Sequence, residues 1–169
     1  MSATLQRDQA SNLAKSNPKK ALDMARKVDD PWFRAQALSW VARFTDGDPI
    51  AIASEAAKAA EKCNDDYKKS AVRAWEIAAL AERGCMSEAG KRLSEAVRGA
   101  KKAIPASSRS EAFILLMQAA FAISRKDAVQ VYEVLIATCS PDEHWRCKRA
   151  IRDGGRMISG ELNSRSFFW

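Results

Sequence analysis

His144 is the only histidine in the 169-residue chain, so any proton-shuttling triad would have to be built around it. Ser140 and Asp142 lie beside it in Ser140-Pro141-Asp142-Glu143-His144. That order is better explained as a helix start, with a proline suited to a first turn and carboxylates that accept its free N–H groups. The same histidine stands with Cys139 and Cys147 in a Cys-x4-His-x2-Cys run, with Cys63 or Cys85 as a distant fourth ligand. A structural zinc site requires four ligands at tetrahedral geometry, and this is not the spacing of a known finger. Separate, partly buried cysteines account for the same letters, and no metal or cofactor is expected. Gly154-Gly155 lacks the spacing and the lysine of a phosphate loop. The acidic pairs Asp29-Asp30, Asp65-Asp66 and Asp142-Glu143 each precede a predicted helix, where carboxylates cap N–H groups rather than act in catalysis. A non-enzymatic protein with no catalytic residue is the expectation.

Binding chemistry has better candidates. Asp29-Asp30-Pro31-Trp32-Phe33-Arg34, Asp65-Asp66-Tyr67-Lys68-Lys69 and Asp142-Glu143-His144-Trp145-Arg146 share an order of two acids, an aromatic and a base. Ser107-Ser108-Arg109 keeps only the base. The aromatics can staple each turn to the preceding helix. Alternatively, Trp32, Arg34, Tyr67, Lys69, Arg109 and Trp145 form an aromatic and cationic ridge that grips a peptide or a nucleic-acid strand. Two segments concentrate positive charge, one carrying Lys91, Arg98 and Lys102 on a single helix face, the other Lys148, Arg149, Arg152 and Arg156. Such faces are either solvated surface or an attraction for an acidic partner. The segment after them ends in Phe167-Phe168-Trp169, three aromatics that need cover. They are expected to fold back onto the last hairpin, or to contact a partner or a second copy.

Positioning these groups falls to helices. Alanine supplies 31 residues while glycine and proline together supply 12, a balance that suits helices and not sheets. Apolar residues recur at three- and four-residue steps, with no sustained alternation. All five prolines, Pro18, Pro31, Pro49, Pro105 and Pro141, fall where helices begin or are separated. Nine helices are predicted, at about 3–15, 18–28, 31–44, 49–63, 66–83, 86–103, 107–125, 127–138 and 142–158. The longest apolar run, Ala112 to Ile123, is too short to cross a bilayer, and no membrane span is expected. The first residues have neither an apolar leader core nor a transit character, so a cytoplasmic setting is expected. The formal net charge of +7 sits in 91–109 and 144–169.

Short loops make successive helices antiparallel, and the hairpins recur. Ala21-x3-Ala25-x2-Val28, Ile52-x3-Ala56-x2-Ala59, Ala89-x3-Leu93-x2-Ala96 and Ala128-x3-Tyr132-x2-Leu135 share one spacing. Trp40-Val41-Ala42, Trp75-Glu76-Ile77-Ala78 and Leu116-Met117-Gln118-Ala119 occupy similar places on the alternate helices. A period of this length belongs to helical repeat arrays, in which each hairpin buries a face by stacking on its neighbour. The stretch Gly84-x3-Glu88-Ala89-x3-Leu93-x2-Ala96, preceded by Ala78-Ala79-Leu80-Ala81, resembles the second half of a tetratricopeptide repeat, although the Trp-x2-Leu-Gly opening is absent throughout. The resemblance implies an all-α, right-handed αα-superhelix of four to five hairpins, TPR-like or HEAT-like, over residues 1–158, followed by a tail over 159–169. It also implies a scaffold that binds a protein or peptide, and it carries over no functional residue. The competing expectations are a nucleic-acid-binding HEAT-like module using the basic faces at 91–109 and 144–156, and a small enzyme on the same fold.

Overall fold

The computed structural model describes residues 1–168, so Trp169 lies outside the described residues. Among these residues there are helices and no strands: α1 (Ala3–Ala14), α2 (Pro18–Arg26), α3 (Pro31–Phe44), α4 (Pro49–Ala60), α5 (Asp66–Ala71), α6 (Arg73–Glu82), α7 (Met86–Ala100), α8 (Ala106–Phe121), α9 (Arg125–Cys139) and α10 (Trp145–Ser159). The helix predicted over 66–83 is divided at Val72, which makes α5 and α6 two parts of one of nine rods. Val72 itself keeps helical torsions (φ −66°, ψ −20°), and Trp75 N–H bonds to Val72 O, a tightened i,i+3 bond. Asp30 and Asp65 do cap α3 and α5, accepting from Trp32 and Phe33 N–H and from Lys68 N–H. Asp142 does not cap a helix. It accepts from His144 N–H, and His144 caps α10 through Nδ1, three residues later than predicted.

Consecutive helices pack in pairs, α1 with α2, α3 with α4, α5 and α6 with α7, and α8 with α9. The first helices of these pairs also touch one another in order, α1 on α3, α3 on α6, α5 and α6 on α8, and α8 on α10. Each second helix leans on the next first helix, α2 on α3, α4 on α6, α7 on α8 and α9 on α10. Two layers result, and alanines make the close approach possible: Ala10, Ala14, Ala21, Ala25, Ala53 and Ala56 are completely buried at these contacts. The apolar run from Ala112 to Ile123 suggests a helix enclosed on most sides. In fact α8 leaves Ile114 and Leu115 half-buried, whereas α3 buries every residue from Ala35 to Ala42 and α6 every residue from Ala74 to Ala81. Eight consecutive buried residues encircle a helix more than twice, so something must cover the remaining face of α3 and α6.

The glycine pair in α10 has a packing role. A Cβ on Gly154 would lie 2.8 Å from two ring carbons of Tyr132 on α9 and 3.3 Å from Met117 Sδ, and the Tyr132 hydroxyl donates to Ile151 O at 3.0 Å. Gly90 in α7 faces open space, with nothing within 4 Å of an added Cβ. The two sites should respond with opposite signs. Gly90→Ala is expected to raise stability by up to about 1 kcal/mol through helix propensity. Gly154→Ala must displace Tyr132, and overpacking of about 1–3 kcal/mol outweighs that gain, so its melting temperature falls. Thermal melts of the two variants check both signs.

Candidate functional site

The cover on α3 and α6 is the segment that follows α10. Gly160 ends α10 in the left-handed conformation (φ +81°), and Glu161 and Leu162 N–H both bond to Arg156 O, which turns the chain back on itself. From there it passes α10 and α8 to reach α6 and α3. The Phe167 ring meets Trp75 edge-on at 5.1 Å, and the Phe168 ring meets Trp40 edge-on at 5.0 Å. Both phenylalanines are buried, at 4% and 6% exposure. The Arg43 guanidinium lies 4.6 Å from the Phe168 centroid and 5.4 Å from that of Trp40, and is held there by an ion pair with Glu82. Arg165 lies 5.9 Å over Trp75. Ser166 Oγ donates to Phe168 O at 2.6 Å, a local bond that fixes the last turn of the segment. The aromatic end is expected on the last hairpin, but Phe167 and Phe168 lie on the second and third pairs, because the two large tryptophans there offer flat apolar faces on neighbouring first-layer helices.

Two further features belong to this face. Trp32 stacks on Tyr67 at 6.1 Å and meets Trp75 edge-on at 5.8 Å, so the turn aromatics of α3 and α5 extend the same aromatic surface. Between α8, α10 and the returning segment lies a cavity of about 310 Å³, lined by Glu111, Gln118, Asp153 and Met157 and by Leu162 and Arg165 of the segment. Gln118 Oε1 and Trp75 Nε1 are buried with no hydrogen-bond partner among the described residues. Buried polar atoms of this kind are normally satisfied, and each unmet bond costs about 1–3 kcal/mol. Comparison with family models, curated proteins and solved structures gives no match.

The remaining sequence candidates separate into groups. Arg34 donates to Val28 O at 2.7 Å and Asp29 O at 3.4 Å, and Arg109 donates to Ala103 O at 3.1 Å and Thr138 O at 3.0 Å. Both act as clamps on backbone carbonyls at equivalent inter-helix turns. Lys69 is exposed at the start of the next pair. Trp145 is 58% exposed, stacks on His144 at 5.9 Å and lies under the Arg149 guanidinium at 4.9 Å. Among the described residues no ring contact joins it to Trp32 and Tyr67. The basic face of α10 is largely neutralised, since Arg149 pairs with Glu111, Arg152 with Asp153, Lys148 with Glu143 and Arg156 with Glu161. Lys91 and Arg98 on α7 are exposed and form no ion pair among the described residues, as does Lys102, which lies in the turn beyond the end of α7 at Ala100 and not on the predicted helix face; α7 is a second-layer helix, away from α10 in the first. Cys139 and Cys147 are buried while His144 is exposed, and no group of three or more metal-binding side chains assembles among the described residues. Burial also pushes the Cys147 and Cys63 thiols up, which leaves them protonated and weakly nucleophilic.

Sequence reasoning missed Trp40, Trp75, Arg43 and Gln118 as surface chemistry. Its signal was available: two tryptophans 35 residues apart at matching places on alternate helices. The same spacing fits packing between hairpins, which is also true of their buried sides. Below Trp75, Glu76 is buried to 1% exposure and ties the layers together. Its Oε1 accepts from Arg73 Nε and Nη2 at 3.0 and 2.7 Å and lies 3.6 Å from Arg92 Nη1. Arg92 in turn reaches Glu88 at 3.0 Å and Ser54 Oγ at 2.7 Å, so α4, α6 and α7 share one network. Burial is the largest influence on the Glu76 carboxyl and raises it, while the two guanidiniums pull it down.

Proposed function

We propose that this protein is a non-enzymatic scaffold, a TPR-like right-handed αα-superhelix whose first-layer helices line a groove for a protein or peptide segment. The observation that supports this reading is the pair Trp75 and Trp40, on successive first-layer helices, each receiving an aromatic side chain from an extended chain. Aromatic anchors in desolvated pockets flanked by arginine are the side chains that dominate binding energy at protein interfaces. The α10 stripe, being paired internally, contributes little to this role, and the turn aromatics Trp32 and Tyr67 continue the same surface. The test is recovery of partners from native cell extract with the wild-type chain, Trp75→Ala, and Lys91→Glu/Lys102→Glu. On the scaffold reading, the partner set is lost in Trp75→Ala and retained in the α7 variant.

The unpaired Lys91 and Arg98 of α7, with Lys102 in the turn that follows it, support a second reading, a nucleic-acid-binding module that uses the one basic region 91–102 rather than two. Its mark is salt. Affinity for random duplex or single-stranded DNA should collapse between low and moderate salt and vanish in Lys91→Glu/Lys102→Glu. No binding at low salt removes this reading.

A further inference from the structure

The groove is already filled by the chain's own 161–168 segment, and it is filled incompletely. Phe167 and Phe168 occupy the two tryptophan positions, yet the cavity of about 310 Å³ beside α8 and α10 is left open. Gln118 Oε1, an acceptor, and Trp75 Nε1, a donor, remain without partners among the described residues. The cavity wall also carries Glu111 and Asp153, paired with Arg149 and Arg152, so the cation of the segment is read by the Trp75 ring under Arg165 rather than by a free carboxylate. From these observations, and resting on the peptide-binding reading above, we infer that 161–168 is an internal competitor for an extended partner segment of the same chemistry, a cation followed at short spacing by two aromatics, which must displace it to bind. The partner gains where the internal segment falls short. Its backbone can supply the N–H that Gln118 Oε1 lacks and the carbonyl that Trp75 Nε1 lacks, and a further side chain can enter the open cavity. An internal segment that met every group would leave a competitor nothing to gain, so its poor fit is what makes the groove openable.

The strength of the internal competition follows from tethering. A segment held by a linker as short as 160–164 has an effective concentration on the order of millimolar. A free peptide whose intrinsic dissociation constant is about 10 μM is then weakened roughly 100-fold in apparent affinity. The proposal stands or falls on a fluorescent peptide spanning residues 160–169, titrated by anisotropy into the full-length chain and into full-length Phe167→Ser/Phe168→Ser. The opened variant should bind at least tenfold more tightly than wild type, and a peptide with serine at both aromatic positions should bind neither. Adding Trp40→Ala to the opened variant should abolish binding. Equal affinity for both chains overturns the internal competition, as does no binding by an opened variant whose circular dichroism remains helical. Should the double variant unfold, Arg165→Ala decides, because loss of the cation over Trp75 should tighten peptide binding a few-fold, and an unchanged affinity overturns the proposal. A wild-type dimer in which the segment crosses between copies, detected by sedimentation, also overturns it. If Trp75-dependent partners are recovered from extract while the peptide does not bind the opened variant, the scaffold reading survives and the internal competition fails.

Discussion

Replacing Glu76 with alanine should lower the unfolding free energy by about 3–5 kcal/mol, the range for breaking a buried ion pair by removing one partner. The reason lies in what stays behind. Arg73 and Arg92 are 14% and 10% exposed at their side chains and would lose the carboxylate oxygen that both address. Arg73 keeps only Glu95, at 3.3 Å, and Arg92 keeps Glu88 and Ser54, so the lower end of the range is expected. For a chain of this size each kcal/mol moves the melting temperature by roughly 2–4 °C, and Glu76→Ala should fall by about 6–12 °C. Glu76→Gln keeps an acceptor at the same place and should lose less than half as much. Glu76→Ala combined with Arg73→Met and Arg92→Leu should recover part of the loss, since no charge is then stranded in the interior. Urea melts of the four proteins distinguish a stranded-charge origin from a simple cavity, for which the triple variant would be the least stable.

The helices were legible because their punctuation is chemical. Pro18, Pro31 and Pro49 open α2, α3 and α4, and Asn17, Asp30, Asp48 and Asp65 cap the helices that follow them. Gly84 and Gly160, both with positive φ, close α6 and α10. The break at Val72 left no trace in the sequence, because a valine with helical torsions looks the same inside an uninterrupted rod. The binding candidates were harder for a different reason. A basic residue in these turns can donate to a partner or to the backbone, and Arg34 and Arg109 take the second course only because a turn carbonyl ends up 2.7–3.1 Å away. Likewise, the α10 stripe appeared free until Glu111 on a neighbouring helix came into reach of Arg149. The groove itself depends on which sides of Trp40 and Trp75 the helices leave uncovered. Hydrophobic periodicity does not record that, since a tryptophan covered by a helix and one covered by a returning segment sit at the same step of the pattern.

Three buried phenylalanines should behave in two different ways. Phe113, on α8, is completely buried among helices, and Phe113→Ala should cost about 3–5 kcal/mol because no element can leave to relieve the cavity. Phe167 and Phe168 are nearly as well buried, but beyond Leu162 no backbone–backbone hydrogen bond among the described residues ties their segment to the helices, so it can undock as a unit. Their combined loss is therefore limited by the free energy of docking, not by the sum of two cavities. Either single alanine substitution is expected to lower stability by about 1–2 kcal/mol, and the pair by little more, with a coupling of at least about 0.5 kcal/mol. The spectroscopic signs separate in the opposite direction. Phe113→Ala leaves Trp40 and Trp75 covered, whereas Phe167→Ala/Phe168→Ala exposes both indoles to an aqueous quencher in the folded state. The m-value should follow the same division, decreasing in the pair because the native state already exposes the groove, and staying near wild type in Phe113→Ala. Strict additivity of the two alanine substitutions, with unchanged quenching, would mean that the segment is an integral part of the core and not a removable cover.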